Sequence, residues 1–252
     1  MRSAFAALYS AAVYLFFLAT FTYAILWVEG VLVPTTIDSG APGDLVMSLV
    51  INGALLGLFA VQHTIMARPG FKRWWTKIIP AEMERSTFVL AATLALALLL
   101  WQWRSLPELV WSVDDPVLAG VIIAVSWSGW ALLLLSTFLI SHFHLFGLSQ
   151  GWAKILKIKE GDGPFVTPLF YKWIRHPLYL GFILAFWAAP QMSLGHLFFA
   201  IMTTGYIFVG IWFEERDLVA HFGERYLQYR RQVGMLFPKF GARGDGEKTR
   251  TL

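Results

Sequence analysis

Residues 178–213 read LYLGFILAFWAAPQMSLGHLFFAIMTTGYIFVGIWF, 36 positions with no Asp, Glu, Lys or Arg among them. A helix needs roughly 20 apolar residues to cross about 30 Å of hydrocarbon, so this run is too long for one crossing. Pro190-Gln191, with Ser193 and Gly195, interrupts it near the middle, where a proline withholds a backbone donor and stops a helix. The stretch therefore reads as a helical hairpin. Its first arm is unusually short, and its second runs from about Leu194 to Phe213.

Four further apolar runs precede the hairpin: Ala4 to Val28, Leu45 to Ala67, Thr87 to Trp103 and Val117 to Ile140. Backbone groups in lipid must pair within their own segment, which makes each run a helix. Trp101, Trp103 and Trp111 fit an aromatic belt at a membrane surface. The expected fold class is all-α: a polytopic transmembrane helical bundle of about six spans, the last two forming a helical hairpin, with an amphipathic C-terminal segment. Composition agrees, since 57% of the 252 residues are hydrophobic and only 14% are charged, a balance foreign to soluble domains.

Charge placement tests the count independently, because Lys and Arg accumulate in cytoplasmic segments. With Arg2 inside, residues 68–85 are inside with five basic residues, residues 141–176 with five, and the tail from Glu214 with eight. The opposite side holds only Arg104. Treating the hairpin as one span would put the eight tail residues outside, so six spans with both termini in the cytoplasm is the better topology. The first run is longer than a signal-peptide core and a second span follows soon, so it is retained. The expected location is a bacterial inner membrane. The pI near 9.4 belongs to loops beside anionic lipid, with no nucleic-acid module to account for it. With 0 cysteines, disulfides and cysteine ligands or nucleophiles are excluded. One domain over residues 1–240 and a polar tail from Gly241 to Leu252 complete the organisation, without an internal repeat.

Imidazole and ionisable groups near spans are default functional candidates, and here they share one level. His63 ends the second span, His142 and His144 the fourth; His176 opens the fifth; Glu214, Glu215 and Asp217 close the sixth. His196 alone lies on the far side. The densest run is Tyr171-Lys172-Trp173-Ile174-Arg175-His176-Pro177-Leu178-Tyr179-Leu180-Gly181. Pro177 suits the first turn of a helix, whose free N–H groups attract an anion. Arg175 and His176 add charge and donors there, Tyr179 follows on the His176 face, and Gly181 leaves room for a neighbouring helix or a ligand. A basic belt with a proline start is the plainer alternative.

A second run follows the last span. At helical spacing Leu218, Phe222, Tyr226, Tyr229 and Val233 form one stripe, and Glu214, Asp217, His221, Glu224, Gln228 and Arg231 the other, which describes an amphipathic interfacial segment. Glu215 turns toward the protein while Glu214 faces polar surroundings. An inward carboxylate needs a partner, which is a ligand hydroxyl or amine, or Arg225 or Arg175. Gly223 either sits within the helix at a cost of roughly 1 kcal/mol or divides the segment in two.

Arg175-His176-Pro177-x-Tyr179-x-Gly181, then a hairpin, then Glu214-Glu215-x-x-Leu218-x-x-x-Phe222-Gly223-x-x-Tyr226-x-x-Tyr229 resembles the isoprenylcysteine carboxyl methyltransferase superfamily of membrane enzymes. The likeness covers about residues 165–238. Val33-Pro34, Ile37-Asp38-Ser39-Gly40, Gln62-His63 and Phe146-Gly147-Leu148-x-Gln150 look like its nurim-type branch, and within that like the bacterial methanethiol S-methyltransferases. The resemblance implies S-adenosylmethionine (S-adenosyl-L-methionine) as methyl donor, held on the cytoplasmic side by Arg175, His176, Tyr179, Gly181, Glu214 and Glu215. The donor's chemistry agrees: a carboxylate for His176, Arg175 and the helix start, a ribose and ammonium for a glutamate, a sulfonium that tolerates aromatic rings. No G-x-G-x-x-G opens a βαβ unit, which speaks against a soluble-type methyltransferase.

The leading expectation is in-line transfer of the methyl group to the sulfur of a small thiol, methanethiol, giving dimethyl sulfide. A thiol is mostly protonated at neutral pH and needs a base, for which His63 and His142 are the candidates. No residue is assigned to a metal, and the expected partners are the thiol and the lipid bilayer, with no nucleic acid and no obligatory protein. A lipid or prenylated acceptor is the nearest rival. A haem- or metal-binding redox protein using His63, His142, His144 and His176 is the rival from another class, weakened because histidines two apart on a helix cannot face one ion.

Overall fold

The computed structural model describes residues 2–41, 43–157 and 166–239. The polar tail expected at 241–252 lies outside the described residues. In chain order the elements are α1 (Arg2–Glu29), α2 (Leu45–Ala67), α3 (Pro69–Trp75), α4 (Ala81–Gln102), β1 (Leu109–Ser112), α5 (Pro116–Ile140), α6 (His142–Leu145), α7 (Leu148–Leu156), a 3-10 turn at Leu169–Lys172, α8 (Pro177–Trp187), β2 (Gln191–Ser193), α9 (Leu194–Phe222) and α10 (Glu224–Gln232). Helices α1, α2, α4, α5 and α9 are long and apolar enough to cross a membrane. The chain is an all-α multi-pass membrane protein.

The three helices that return toward the basic face begin on side-chain caps. Asp44 accepts from the Met47 N–H at 2.8 Å, Asp115 from Leu118 at 2.7 Å, and Ser193 from His196 at 3.0 Å, each satisfying a donor the helix start would leave unpaired. At the other face, Arg68 pairs with Asp217 at 3.0 Å, Arg85 Nε donates to the Leu145 carbonyl at 2.6 Å, and Lys154 reaches Glu82 at 2.8 Å. These contacts tie the ends of α2, α4, α7 and α9 into one basic surface. Arg104, on the opposite side, is held through its backbone by Asn52.

The short hairpin arm is shorter than a span. α8 has 11 residues, about 16 Å of rise and near half the hydrocarbon thickness. The arm continues as extended chain, with β2 antiparallel to β1 (Trp111 opposite Met192, Ser112 opposite Gln191). Backbone carbonyls released by the helix end find donors: Phe186 from His196 Nε2 at 3.0 Å, Ala189 from Trp111 Nε1 at 3.1 Å, Pro190 from the Val113 N–H at 2.9 Å. That pairing lets non-helical backbone exist at this depth. Two boundaries also move. α4 starts at Ala81 rather than Thr87 and carries Glu82, Glu84 and Arg85 in its first turns. α9 runs unbroken to Phe222, so Glu214 and Glu215 stand on the spanning helix itself and the interfacial segment begins only at α10, after Gly223 at φ +57°.

Helices in lipid gain little from hydrophobicity and associate through close packing of small residues. The tightest crossing joins α5 to α8. A Cβ on Gly181 would lie 2.6 Å from the Gly129 carbonyl oxygen, and one on Gly129 2.6 Å from that of Gly181. Around this crossing Trp27, Leu99, Trp130, Ala185, Phe186 and Phe199 form the buried core, while Leu15, Leu58, Leu134 and Val209 remain on the outside, facing lipid.

Candidate active site

The segment before α8 is pinned from below. The Arg175 N–H donates to the Gly234 carbonyl at 2.8 Å and His176 to that of Met235 at 3.1 Å, so the start of α8 is fixed to the chain leaving α10. His176 caps α8 and Pro177 occupies its first turn, as the fixed φ of proline favours. From this position Arg175 Nε donates to Glu215 Oε1 at 2.7 Å, His176 Nε2 lies 3.1 Å from the same oxygen, and Arg230 Nε is 3.1 Å from Oε2. Arg175 Nη1 also donates to the carbonyls of Arg230 and Val233. The side chains of Arg175 and Glu215 are 6% and 7% exposed. Arg175, one of the two expected cations, answers the inward carboxylate, with His176 and Arg230, and the cluster joins α8, α9 and α10.

Glu214 differs in kind. Its side chain is 44% exposed, and its Oε2 is 4.0 Å from His176 Nδ1. The Tyr179 hydroxyl lies near it. His176 thus stands between a buried, saturated carboxylate and an open one, its ring 5.6 Å from that of Tyr179. Three phenols close the surroundings. Burial pushes the Tyr229 hydroxyl up to about 12, against the nearby Arg175 charge. Burial and then Glu214 push Tyr171 upward, and burial and then Glu215 push Tyr226 upward. All three stay protonated hydrogen-bond donors, and Tyr229 donates to the Tyr171 carbonyl at 2.5 Å.

The remaining candidates separate. Gly181 serves the α5 crossing, so of its two expected uses the neighbouring helix is the one it meets. His142 has both ring nitrogens engaged, Nε2 with the Tyr14 hydroxyl and Nδ1 with Thr137 Oγ1, each at 2.8 Å, and stacks on Phe138 at 4.3 Å. Burial lowers its pKa. His63 is packed by Phe88 at 4.8 Å, Phe59 at 5.4 Å and the edge of Tyr206 at 6.4 Å. Its Nδ1 is buried with no hydrogen-bond partner among the described residues, so His63 has a nitrogen to give and His142 has none. The two sit at separate edges of the aromatic cluster around Phe88 and Phe146. The His144 carbonyl accepts from Gln150 Nε2 and from the Gly147 N–H.

Sequence reasoning missed Arg230, hidden among the basic tail residues, and Tyr206, whose one signal is a lone phenol eight residues before Glu214 inside an apolar span. Among the described residues no three His, Asp or Glu side chains converge as a metal site requires. A groove between α1 and α4, lined by Tyr23, Trp27 and Trp103, opens at the opposite face and contains no histidine, carboxylate or cation.

Residues 130–220 match the model of the isoprenylcysteine carboxyl methyltransferase family. The chain is 54% identical to methanethiol S-methyltransferase 1 of Bradyrhizobium diazoefficiens over 92% of its own length and 81% of that protein. It is 51% identical to the methanethiol S-methyltransferase of Mycobacterium tuberculosis, over 92% and 95%. Nurim of Rattus norvegicus is 28% identical over 77% of this chain and 75% of nurim. No solved structure matches the chain.

Proposed function

The chain belongs to the family of the methanethiol S-methyltransferases, and from that membership we propose that it transfers the methyl group of S-adenosylmethionine to methanethiol, releasing dimethyl sulfide. The observation that carries the reading is the pair of unspent groups at either end of one face of α9: the open Glu214 carboxylate beside His176 and Tyr179, and the orphaned Nδ1 of His63. The residues fit the donor. Glu214 suits its ammonium or ribose hydroxyls, and the His176 ring with the α8 start suits its carboxylate. Tyr179 supplies an aromatic neighbour for the sulfonium. When bound, the donor supplies an electrophilic methyl carbon, whose bond to the sulfonium sulfur breaks as one to the thiol sulfur forms.

His63 accepts the thiol proton at Nδ1, making the thiolate that is the nucleophile. Phe59, Phe88 and Tyr206 exclude water, so thiolate and sulfonium neutralise each other in a weakly screening environment. Arg175 and Glu215 act one step back, fixing the His176 ring between the two carboxylates. We further infer that the basic face is cytoplasmic, in a bacterial inner membrane, since the cation bias sets orientation and a soluble donor arrives from that side. Incubating membranes holding the full chain with labelled donor and a panel of thiols, amines and lipids gives dimethyl sulfide from methanethiol. Absence of transfer to any thiol overturns the assignment.

A further inference from the structure

α9 presents Tyr206, Gly210 and Glu214 at intervals of four residues, hence on one face, with about 6 Å of rise between each. At one end the Tyr179 hydroxyl faces Glu214. At the other the Tyr206 ring meets His63 edge-on, at 89° and 6.4 Å, and its hydroxyl accepts from Thr64 Oγ1 at 3.3 Å. Gly210 stands between. A Cβ placed there would meet, within 4 Å among the described residues, only the Tyr179 hydroxyl oxygen, at an ordinary contact distance of 3.7 Å. Gly129 and Gly181 are required by backbone that a Cβ would strike; Gly210 is required by nothing in the packing. A glycine inside a helix costs about 1 kcal/mol relative to alanine, and here it leaves this face of α9 without a side chain beside the Tyr179 hydroxyl, one turn from Tyr206 and from Glu214.

Resting on the methyl transfer proposed above, we propose that Gly210 is the acceptor-size determinant: the space beside it receives the hydrocarbon part of the thiol. The polar part of the donor belongs at Glu214 and His176, and the base belongs at His63, so the two reactants meet at the level of Gly210. Methanethiol has one carbon, and a methyl group at position 210 occupies a volume comparable with it. Selection by one methylene in an apolar pocket is worth roughly ten- to 200-fold in kcat/KM, enough to separate methanethiol from ethanethiol.

The test compares purified full-length wild type, Gly210→Ala and Gly205→Ala. Gly205 lies on the same helix with nothing within 4 Å of its Cβ direction, so it controls for the helix-propensity change. Donor affinity, thermal unfolding, and kcat/KM for methanethiol and ethanethiol are measured. The expected result is Gly210→Ala with wild-type donor affinity and the same small rise in unfolding midpoint as Gly205→Ala, kcat/KM for methanethiol reduced about tenfold or more, and a steeper loss for ethanethiol, while Gly205→Ala keeps wild-type kinetics on both thiols. Gly210→Ala indistinguishable from Gly205→Ala on both thiols overturns the proposal while leaving the methyltransferase reading intact. Loss of donor affinity or of folding in Gly210→Ala also overturns it, by assigning Gly210 to the donor site or to packing. Wild type inactive on both thiols rejects transfer to a thiol, and the size assignment with it.

Discussion

Glu214 and Glu215 are adjacent in sequence, and replacing each with alanine should give opposite phenotypes. Glu215→Ala removes the acceptor for Arg175 Nε at 2.7 Å and for His176 at 3.1 Å, in a cluster where both partners are buried. Breaking a buried pair from one side costs about 3–5 kcal/mol, because the remaining charge is uncompensated. Arg230, whose side chain is 43% exposed, adds little to that figure, since solvent screens it. In a domain of this size each kcal/mol shifts the midpoint by about 2–4 °C, so thermal unfolding in detergent should fall by roughly 6–20 °C. Glu214→Ala, half-exposed with a 4.0 Å imidazole contact, should change stability by less than about 0.5 kcal/mol. It should instead weaken donor binding by the value of a charged hydrogen bond, about 1.5–3 kcal/mol, or roughly ten- to 150-fold in Kd. Calorimetry on both variants reads both quantities. A stable Glu215→Ala that has lost the donor, or a Glu214→Ala that binds it normally, refutes the division of labour.

Gly181→Ala should destabilise by about 1–3 kcal/mol through overpacking against α5, read as a lowered unfolding midpoint; an unchanged midpoint would mean the crossing relaxes freely. His63→Asn should lower kcat by about 10²–10⁴ with donor Kd unchanged, and full turnover at saturating donor removes His63 as the base. His142 lies outside the spanning helices and burial depresses its pKa below 6.5. The unfolded chain therefore binds the proton more readily, and stability is present above pH 6.5 and declines as pH falls below it. His142→Gln should flatten that decline in unfolding scans between neutral and acidic pH, and an undiminished slope assigns it to other groups.

Much of the architecture was legible because its causes are local. Hydropathy marks the five long helices, Pro190 marks the reversal, Pro177 marks the start of α8, and helical periodicity alone turns Glu215 inward and Glu214 outward. The Arg175–Glu215 pair is different in kind, since its members are 40 residues apart. Periodicity states that the buried carboxylate needs a partner but not which cation arrives: Arg225 and Arg175 were equal on that count, and Arg230 was missed. His63 and His142 likewise look equivalent as histidines at span ends; only the packing of α1 and α5 around His142 occupies both of its nitrogens while leaving Nδ1 of His63 unpaired.

By itself, then, the sequence determined which segments enter the membrane, which face carries the cations and which two motifs share that face, because transfer free energy, charge bias and helix periodicity are properties of short stretches. The tertiary structure alone decided that the first arm of the hairpin is a short helix continued by extended chain, that one glutamate is spent on holding the site while its neighbour stays open, and that Gly210 stands bare between Tyr179 and Tyr206. Each of those depends on which distant groups meet, and that is settled only when the helices pack.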